Sequence, residues 1–442
     1  MKKNVITRIT SLLFALITVF ALMSPAILTA SAAAGDDSRT VSASASISTV
    51  PVDTSKNYMM VKNGKTATIR SSTSVVYTKI ATVSSGSVLY VSGKSGNNFY
   101  KIVFNINNKN VTYYIKASEL TSAPKTTNAK LLYTTIDSAA LRQAPSSDGT
   151  KTNLAKGTVL LKMADITNSA GNKWFGAIHS GQYAYIFSDR VASCQKITVS
   201  LTANAVMKTK TSTYDLKLSV SPKAISGFTF SSNESSIATV NKSGKVTLKG
   251  GAGKVSFTAQ IPGIIKTSVS SDVIMDIATY KQTTNYTCGA ASILTVANSF
   301  GKLTNKKDTQ IYNAACPESY IVSTLNKQLG ANYVNKKLGE CGLEAYENAL
   351  RSSLKKGYPA ILLIAFPKKH FAYATNPGSG HYVTLIGIVD GEDGITYAIV
   401  ADSFANRFKS TEYSDNTTGY VTLPLSVLYE YGKTKKSVVI NP

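Results

Sequence analysis

Two periodicities divide the chain. From about residue 57 to residue 275, apolar and polar positions alternate over short runs broken by Gly, Ser and Asn, the signature of half-buried strands and tight turns. From about Ile277 onward, helical spacing alternates with longer apolar strands, which predicts an α+β unit large enough for its own core. Within that unit Ala290, Ile293, Leu294, Ala297 and Phe300 fall at i, i+3, i+4, i+7 and i+10, one face of a helix, and Gly301 is placed to end it. Thr284, Asn285 and Thr287 are capping types just ahead of it. Further on, "HYVTLIGIVD" (His381–Asp390) and "ITYAIVADS" (Ile395–Ser403) read as two strands joined by "GEDG". A hairpin folded about Gly391-Glu392 sets His381 opposite Asp402, and a three-residue loop shifts this by one.

The alternating region contains an internal repeat. "ATIRSS" (67–72) recurs as "AALRQA" (139–144), "SSGSVLYV" (84–91) as "AKGTVLLK" (155–162), and "FYKIV" (99–103) as "WFGAI" (174–178). Tyr114-Ile115 recurs as Tyr185-Ile186, and the offsets stay between 71 and 75 residues. This order of motifs resembles tandem bacterial Src-homology-3-like domains. The resemblance implies two small all-β barrels, 57–124 and 128–195, of a kind that binds cell-wall polymer or peptidoglycan peptide. Tyr100, Tyr114, Trp174 and Tyr185 are read first as core and second as groove lining. The next stretch, "SSNESSIATV" (231–240), "GKVT" (244–247) and "GGAG" (250–253), resembles the bacterial immunoglobulin-like group 2 domain, implying a β-sandwich over 197–275 that serves as spacer or adhesive module. Residues 33–56 are Ser/Ala/Thr-rich with little apolar content, and are expected to be a disordered linker.

Compartment and charge narrow the function classes. Lys2, Lys3 and Arg8, an apolar run from Leu12 to Met23 and the small residues Ala30-Ser31-Ala32 read as a signal peptide over 1–32, too short to be a stable transmembrane anchor. The formal charge is +24, and +21 after the three leader cations are removed. For an extracellular, secreted chain this points to an anionic wall surface rather than nucleic acid, or to lysines spread for solubility. Four cysteines, Cys194, Cys288, Cys316 and Cys341, are too few for a disulfide scaffold, and Cys316 with Cys341 is the one close pair if Cys288 stays free.

Cys288 stands out because its periodic context sets it at the first turn of a buried helix. Unpaired backbone N–H groups and a positive field there, together with an imidazole, favour the thiolate. Gly289, Ala290 and Ala291 are read as room for a substrate backbone, and Gln282, six residues upstream, as an oxyanion donor beside the Cys288 N–H. Of three histidines, His179 lies in the second repeat and His370 follows "FPKK"; His381 opens a strand facing Asp402, the orienting carboxylate a catalytic imidazole needs. Asn376 is a weaker substitute for Asp402.

The order Gln282, Cys288, His381, Asp402 resembles papain-fold cysteine peptidases, most closely the branch related to bacteriocin-processing double-glycine peptidases. The matching segments are Gln282–Ser292, "GYPAILLIAF" (357–366), Gly380–Gly387 and Asp402. The resemblance implies an α+β papain-like domain over 277–442, cysteine-peptidase activity on a polypeptide substrate, and these four residues as the catalytic set. The sequence departs from the pattern at Ser403 after Asp402 and in a lysine-rich stretch from Lys302 to Leu343. The histidines and cysteines lack metal-ligand spacing, so neither metal nor other cofactor is expected. Two other functions fit the modules: a peptidoglycan endopeptidase or amidase, and a non-catalytic wall-binding adhesin.

Overall fold

The computed structural model describes residues 39–210, 213–365, 380–391, 393–404, 414–415 and 418–442. The signal peptide expected over 1–32 and the segment carrying His370 and Asn376 lie outside them. None of the helices in the described residues is long and apolar enough to cross a membrane.

The described part of residues 33–56 corrects the expectation of a disordered linker. It forms two strands, β1 (Thr40–Ile47) and β2 (Thr49–Asp53). β1 pairs antiparallel along its whole length with the strand Ile197–Asn204, from Thr40↔Asn204 to Ile47↔Ile197. It is therefore a strand of the β unit over 197–275, expected to be immunoglobulin-like, and both repeats are inserted between it and its partner. The physical reason is visible in "TVSASASI": Val41, Ala43, Ala45 and Ile47 alternate with polar residues, the period-2 pattern of a half-buried strand. The inward-facing side chains are small enough for the overall composition to resemble a linker. β2 pairs with the strand Thr126–Thr134 that opens the second repeat.

The repeats share an element order. Ala67–Arg70, Phe99–Ile106, Lys109–Lys116 and the short 3₁₀ turn Ala117–Glu119 correspond to Ala139–Arg142, Lys173–His179, Gln182–Phe187 and Ser188–Arg190. Equivalent pairs recur, Arg70↔Tyr114 in one and Arg142↔Tyr185 in the other. The two units are not separate closed barrels. Strand Lys79–Val83 pairs with Val159–Asn168, which fuses them into one open 13-stranded sheet. One apolar cluster runs across the junction, with Ile69, Leu89 and Phe104 packed alongside Ala164, Ile166 and Trp174. Trp174 and Tyr185 are buried in it, and Tyr100 packs against it partly buried. Tyr114 is half-buried.

The C-terminal unit is a seven-stranded sheet packed against helices. The sheet order is Val334–Lys336, Val438–Ile440, Ala360–Ala365, Gly380–Asp390, Thr396–Ala401, Tyr420–Pro424, Ser414–Asp415. The helices are α1 (Cys288–Ser299), α2 (Asp308–Ile311), α3 (Glu318–Leu329), α4 (Leu343–Lys355) and α5 (Leu425–Lys433).

The immunoglobulin-like unit is joined to this domain by more than a tether. Ala252 N–H donates to Leu354 O and Met275 N–H to Ile386 O, each at 2.9 Å. Ala252, Ile274, Met275 and Ile277 belong to the same apolar cluster as the central strands of the C-terminal sheet. A Cβ on Gly387 would lie 2.6 Å from Ile274 Cγ2, and one on Gly251 would strike the Lys355 carbonyl. These glycines admit the neighbouring domain. Around them, Asp390 takes both Lys254 and Arg351 at 2.9 and 3.1 Å, and Lys355 pairs with Glu234 at 2.8 Å.

Candidate active site

α1 begins at Cys288, as its periodicity predicts, and ends at Ser299, with Phe300 as its C-cap and Gly301 at φ 70° just beyond. Thr287 is its N-cap, but its side chain does not cap the helix. Instead Thr287 Oγ1 donates to Asp308 Oδ2 at 2.6 Å. The small residues after Cys288 have a different use from the expected one. Ala290 and Ala291 are fully buried, and a Cβ on Gly289 would lie 2.7 Å from Cys316 Cβ and 3.1 Å from the Tyr382 ring. They bring α1 close to the strand Gly380–Asp390 and to Cys316 rather than opening a path for substrate.

His381 and Asp402 meet. His381 Nε2 lies 2.8 Å from Asp402 Oδ1, with both residues buried. The register that achieves this differs from the expected one. Pairing runs from Asp390↔Thr396 to Gly387↔Ile399, is shifted by a bulge at Ile386, and resumes at Leu385↔Val400 and Thr384↔Ala401. Continued outward, that ladder sets Val383 opposite Asp402. The longer loop between the strands and the bulge displace the pairing by two residues. An even displacement keeps His381 on the same face, within diagonal reach of Asp402.

Gln282 is also buried here, and its neighbours explain a departure from the family pattern. Ser403 Oγ donates to Gln282 Oε1 at 2.6 Å, Gln282 N–H donates to Ser403 O at 3.1 Å, and Gln282 Nε2 donates to Thr284 O at 2.7 Å. The residue after Asp402 thus fixes the orientation of the Gln282 amide. Cys288 opens α1, and that helix packs through Gly289 against Tyr382, the residue next to His381.

Burial dominates the electrostatics. It pushes the Cys288 thiol up, neighbouring backbone N–H groups only partly offset this, and the Asp402 charge adds to the rise. The lowered thiol expected from a helix tip is therefore not what the resting site holds. Burial also pushes His381 down to about 3 and Asp402 up to about 7. Each group is driven toward its neutral form. Asp402 Oδ1 accepts from both His381 Nε2 and Phe404 N–H, while Oδ2 has no partner among the described residues. A neutral imidazole can accept a proton as a general base.

The four cysteines are free thiols. Cys316 and Cys341 pack in different apolar clusters, and burial pushes Cys316 up to about 12.

One residue at the site escaped the sequence reading. Asp308, fully buried, lies in the lysine-rich stretch that departs from the family pattern. Its carboxylate accepts from Thr283 N–H, Thr283 Oγ1, Thr287 Oγ1 and Thr309 N–H, at 2.6–2.9 Å. The signal available was a lone acid after Lys302, Lys306 and Lys307, together with three threonines crowded around Cys288.

Residues 274–422 match the Peptidase_C39 like family. No curated protein matches the chain. Among solved structures, the chain is similar to intimin in its complex with Tir90, at 26% identity and a TM-score of 0.15, over 21% of this chain and 46% of that one. It is also similar to a mutant intimin of EHEC O157:H7, at 19% identity and a TM-score of 0.15, over 29% and 57%. A third similarity is to CBDP35, at 16% identity and a TM-score of 0.10, over 33% and 98%. The chain thus spans about half the length of the two intimin chains.

Proposed function

We propose that the protein is a secreted, cell-envelope-associated cysteine peptidase that hydrolyses peptide bonds through Cys288, His381 and Asp402, with Gln282 helping to hold the oxyanion. The observation that carries this reading is the buried 2.8 Å contact between His381 and Asp402, with His381 on the strand that the start of α1 packs against at Tyr382. The family match over residues 274–422 supports the reaction class and a polypeptide substrate.

In this reading Asp402 engages Nε2, so Nδ1 is the ring nitrogen that accepts the thiol proton. Because burial favours the neutral forms, that transfer accompanies attack on the scissile carbonyl rather than preceding it as a standing ion pair. The Cys288 N–H and one N–H of Gln282 hold the oxyanion. His381 then returns the proton to the leaving amine, and water cleaves the thioester. The basic charge, the leader and the β-rich repeats support an envelope location, with wall polymer or peptidoglycan peptide as partner of the repeats.

Zymography of the full chain on casein and on purified wall, with Cys288→Ala as control, tests the reading. Casein cleavage that vanishes in the variant is expected. Wall lysis without casein cleavage would transfer the site to a peptidoglycan endopeptidase or amidase, and no hydrolysis of either would leave an adhesin.

A further inference from the structure

Cys288 and Gln282 sit on one irregular segment, and that segment needs something to hold its shape. Thr284 Oγ1 and N–H reach Thr287 Oγ1 at 3.1 and 3.3 Å, but these contacts lie within the segment itself. Ser403 ties its start, at Gln282, to the rest of the domain; the residues from Thr283 to Thr287 are tied by the Asp308 carboxylate. Oδ2 takes Thr283 N–H and Thr287 Oγ1, and Oδ1 takes Thr283 Oγ1 and Thr309 N–H. Thr283 directly follows Gln282 and Thr287 directly precedes Cys288, so one buried side chain grips both ends of the loop between the two residues. Asp308 N–H in turn donates to Tyr280 Oη at 3.2 Å.

The geometry also specifies the chemical type. Each carboxylate oxygen faces one backbone N–H, a donor that cannot rotate away. A carboxylate offers acceptors only. An Asn at this position would set its NH₂ against Thr283 N–H or Thr309 N–H whichever way its amide was turned.

We propose that Asp308 is a positioning residue for catalysis, holding the Gln282–Cys288 loop so that nucleophile and oxyanion donor keep their relative placement. This rests on the peptidase reading for its catalytic consequence, but the clasp itself is a property of the loop. Asp308 touches no reacting atom; it acts through Thr283 and Thr287.

Thr287→Val removes the hydroxyl at nearly constant volume, and Thr287→Ser keeps it. In the full chain Thr287→Val is expected to lower kcat on casein about 10- to 100-fold with little change in KM, the scale for a misplaced reacting group. Thr287→Ser is expected to recover most of that loss. Iodoacetamide reports the loop without any need for turnover. Releasing the clasp loosens a half-buried thiol, so Cys288 in Thr287→Val should alkylate several-fold faster than in the wild type, while Cys194 and Cys341 keep their rates. Asp308→Asn, if it folds, should behave like Thr287→Val. Wild-type kcat and wild-type Cys288 alkylation in Thr287→Val would overturn the proposal, as would a Ser variant as impaired as the Val variant. If the wild type cleaves no polypeptide but its Cys288 alkylation still follows the clasp, the peptidase reading fails and the clasp stands. If casein is cleaved equally well with and without the clasp, the peptidase reading stands and the positioning role of Asp308 fails.

Discussion

Two buried carboxylates flank Cys288, and they are opposites. Asp308 and Asp402 are both fully inaccessible to solvent. Burial pushes both up. At Asp308 the hydrogen bonds from Thr283, Thr287 and Thr309 outweigh it, and the carboxyl ends below the usual range. At Asp402 burial wins, and the group rises to about 7. The difference lies in the donors. Asp308 has two on each oxygen, whereas Asp402 has two on Oδ1 and none among the described residues on Oδ2. A saturated carboxylate is a structural fixture with its charge settled; an unsaturated one sits close to titration, where it can respond to the charge of its neighbour.

The largest test of this contrast acts on the unsaturated side. Asp402→Asn should lower kcat roughly 10²- to 10⁴-fold by leaving the imidazole without its orienting acceptor, while the fold persists. A loss below tenfold would show that Asp402 does not serve His381. The pH–rate profile sharpens the point. A base pushed down to about 3 stays unprotonated well below the ordinary histidine value, so the acid limb should fall well under pH 6.5. A limb at or above 6.5 that persists in Asp402→Asn, where the carboxyl raised to about 7 is gone, would contradict the neutralising effect of burial on His381.

On the saturated side the effect belongs in stability. Asp308→Asn should cost about 2–3 kcal/mol, because a buried N–H then faces another donor. The folded-state value of Asp308 lies below the unfolded one, so its stabilisation is present above pH ~4 and is lost as pH falls through the folded value. The melting difference between wild type and variant should therefore be constant from pH 5 to 8 and shrink only below ~4. A difference that grows between pH 5 and 8 would assign Asp308 to the wrong class.

The smallest effect is expected at a third buried carboxylate, in the join between domains. Asp272 accepts Asp390 N–H at 3.1 Å on Oδ2, has no partner on Oδ1, and is raised by burial to about 6. Its folded value exceeds the unfolded one, so it opposes folding increasingly as pH rises from ~4 to ~6. Asp272→Asn should raise the melting temperature at pH 8, by an amount equivalent to about 1–3 kcal/mol, and leave it unchanged at pH 4. Unfolding followed by circular dichroism at the two pH values decides it, and destabilisation at pH 8 would show that the charge is needed in the join.

Local pattern made several of these elements legible. The α1 face, the start of that helix at Cys288, the repeat and the His381 strand all follow from short-range periodicity, and the Gln282, Cys288, His381 and Asp402 positions were readable from spacing. The His381–Asp402 contact survived a wrong register because the error was even, and a two-residue slip in a strand preserves the face. What misled was composition: small alternating residues in "TVSASASI" hid a strand whose partner lies some 150 residues away in the chain.

By itself, the sequence determined which local elements the candidate site residues occupy, since helix and strand periods are written over a few neighbouring positions. Only the tertiary structure decided how those elements are held. It merged the repeats into one sheet, paired β1 with Ile197–Asn204, seated Ile274 against Gly387, oriented Gln282 with Ser403 and tied the Cys288 loop to Asp308. These are contacts between distant segments whose donors and acceptors must match in space. Nothing in the local order of residues records which buried oxygen will meet which N–H, and at this site that pairing sets the charge of each carboxylate.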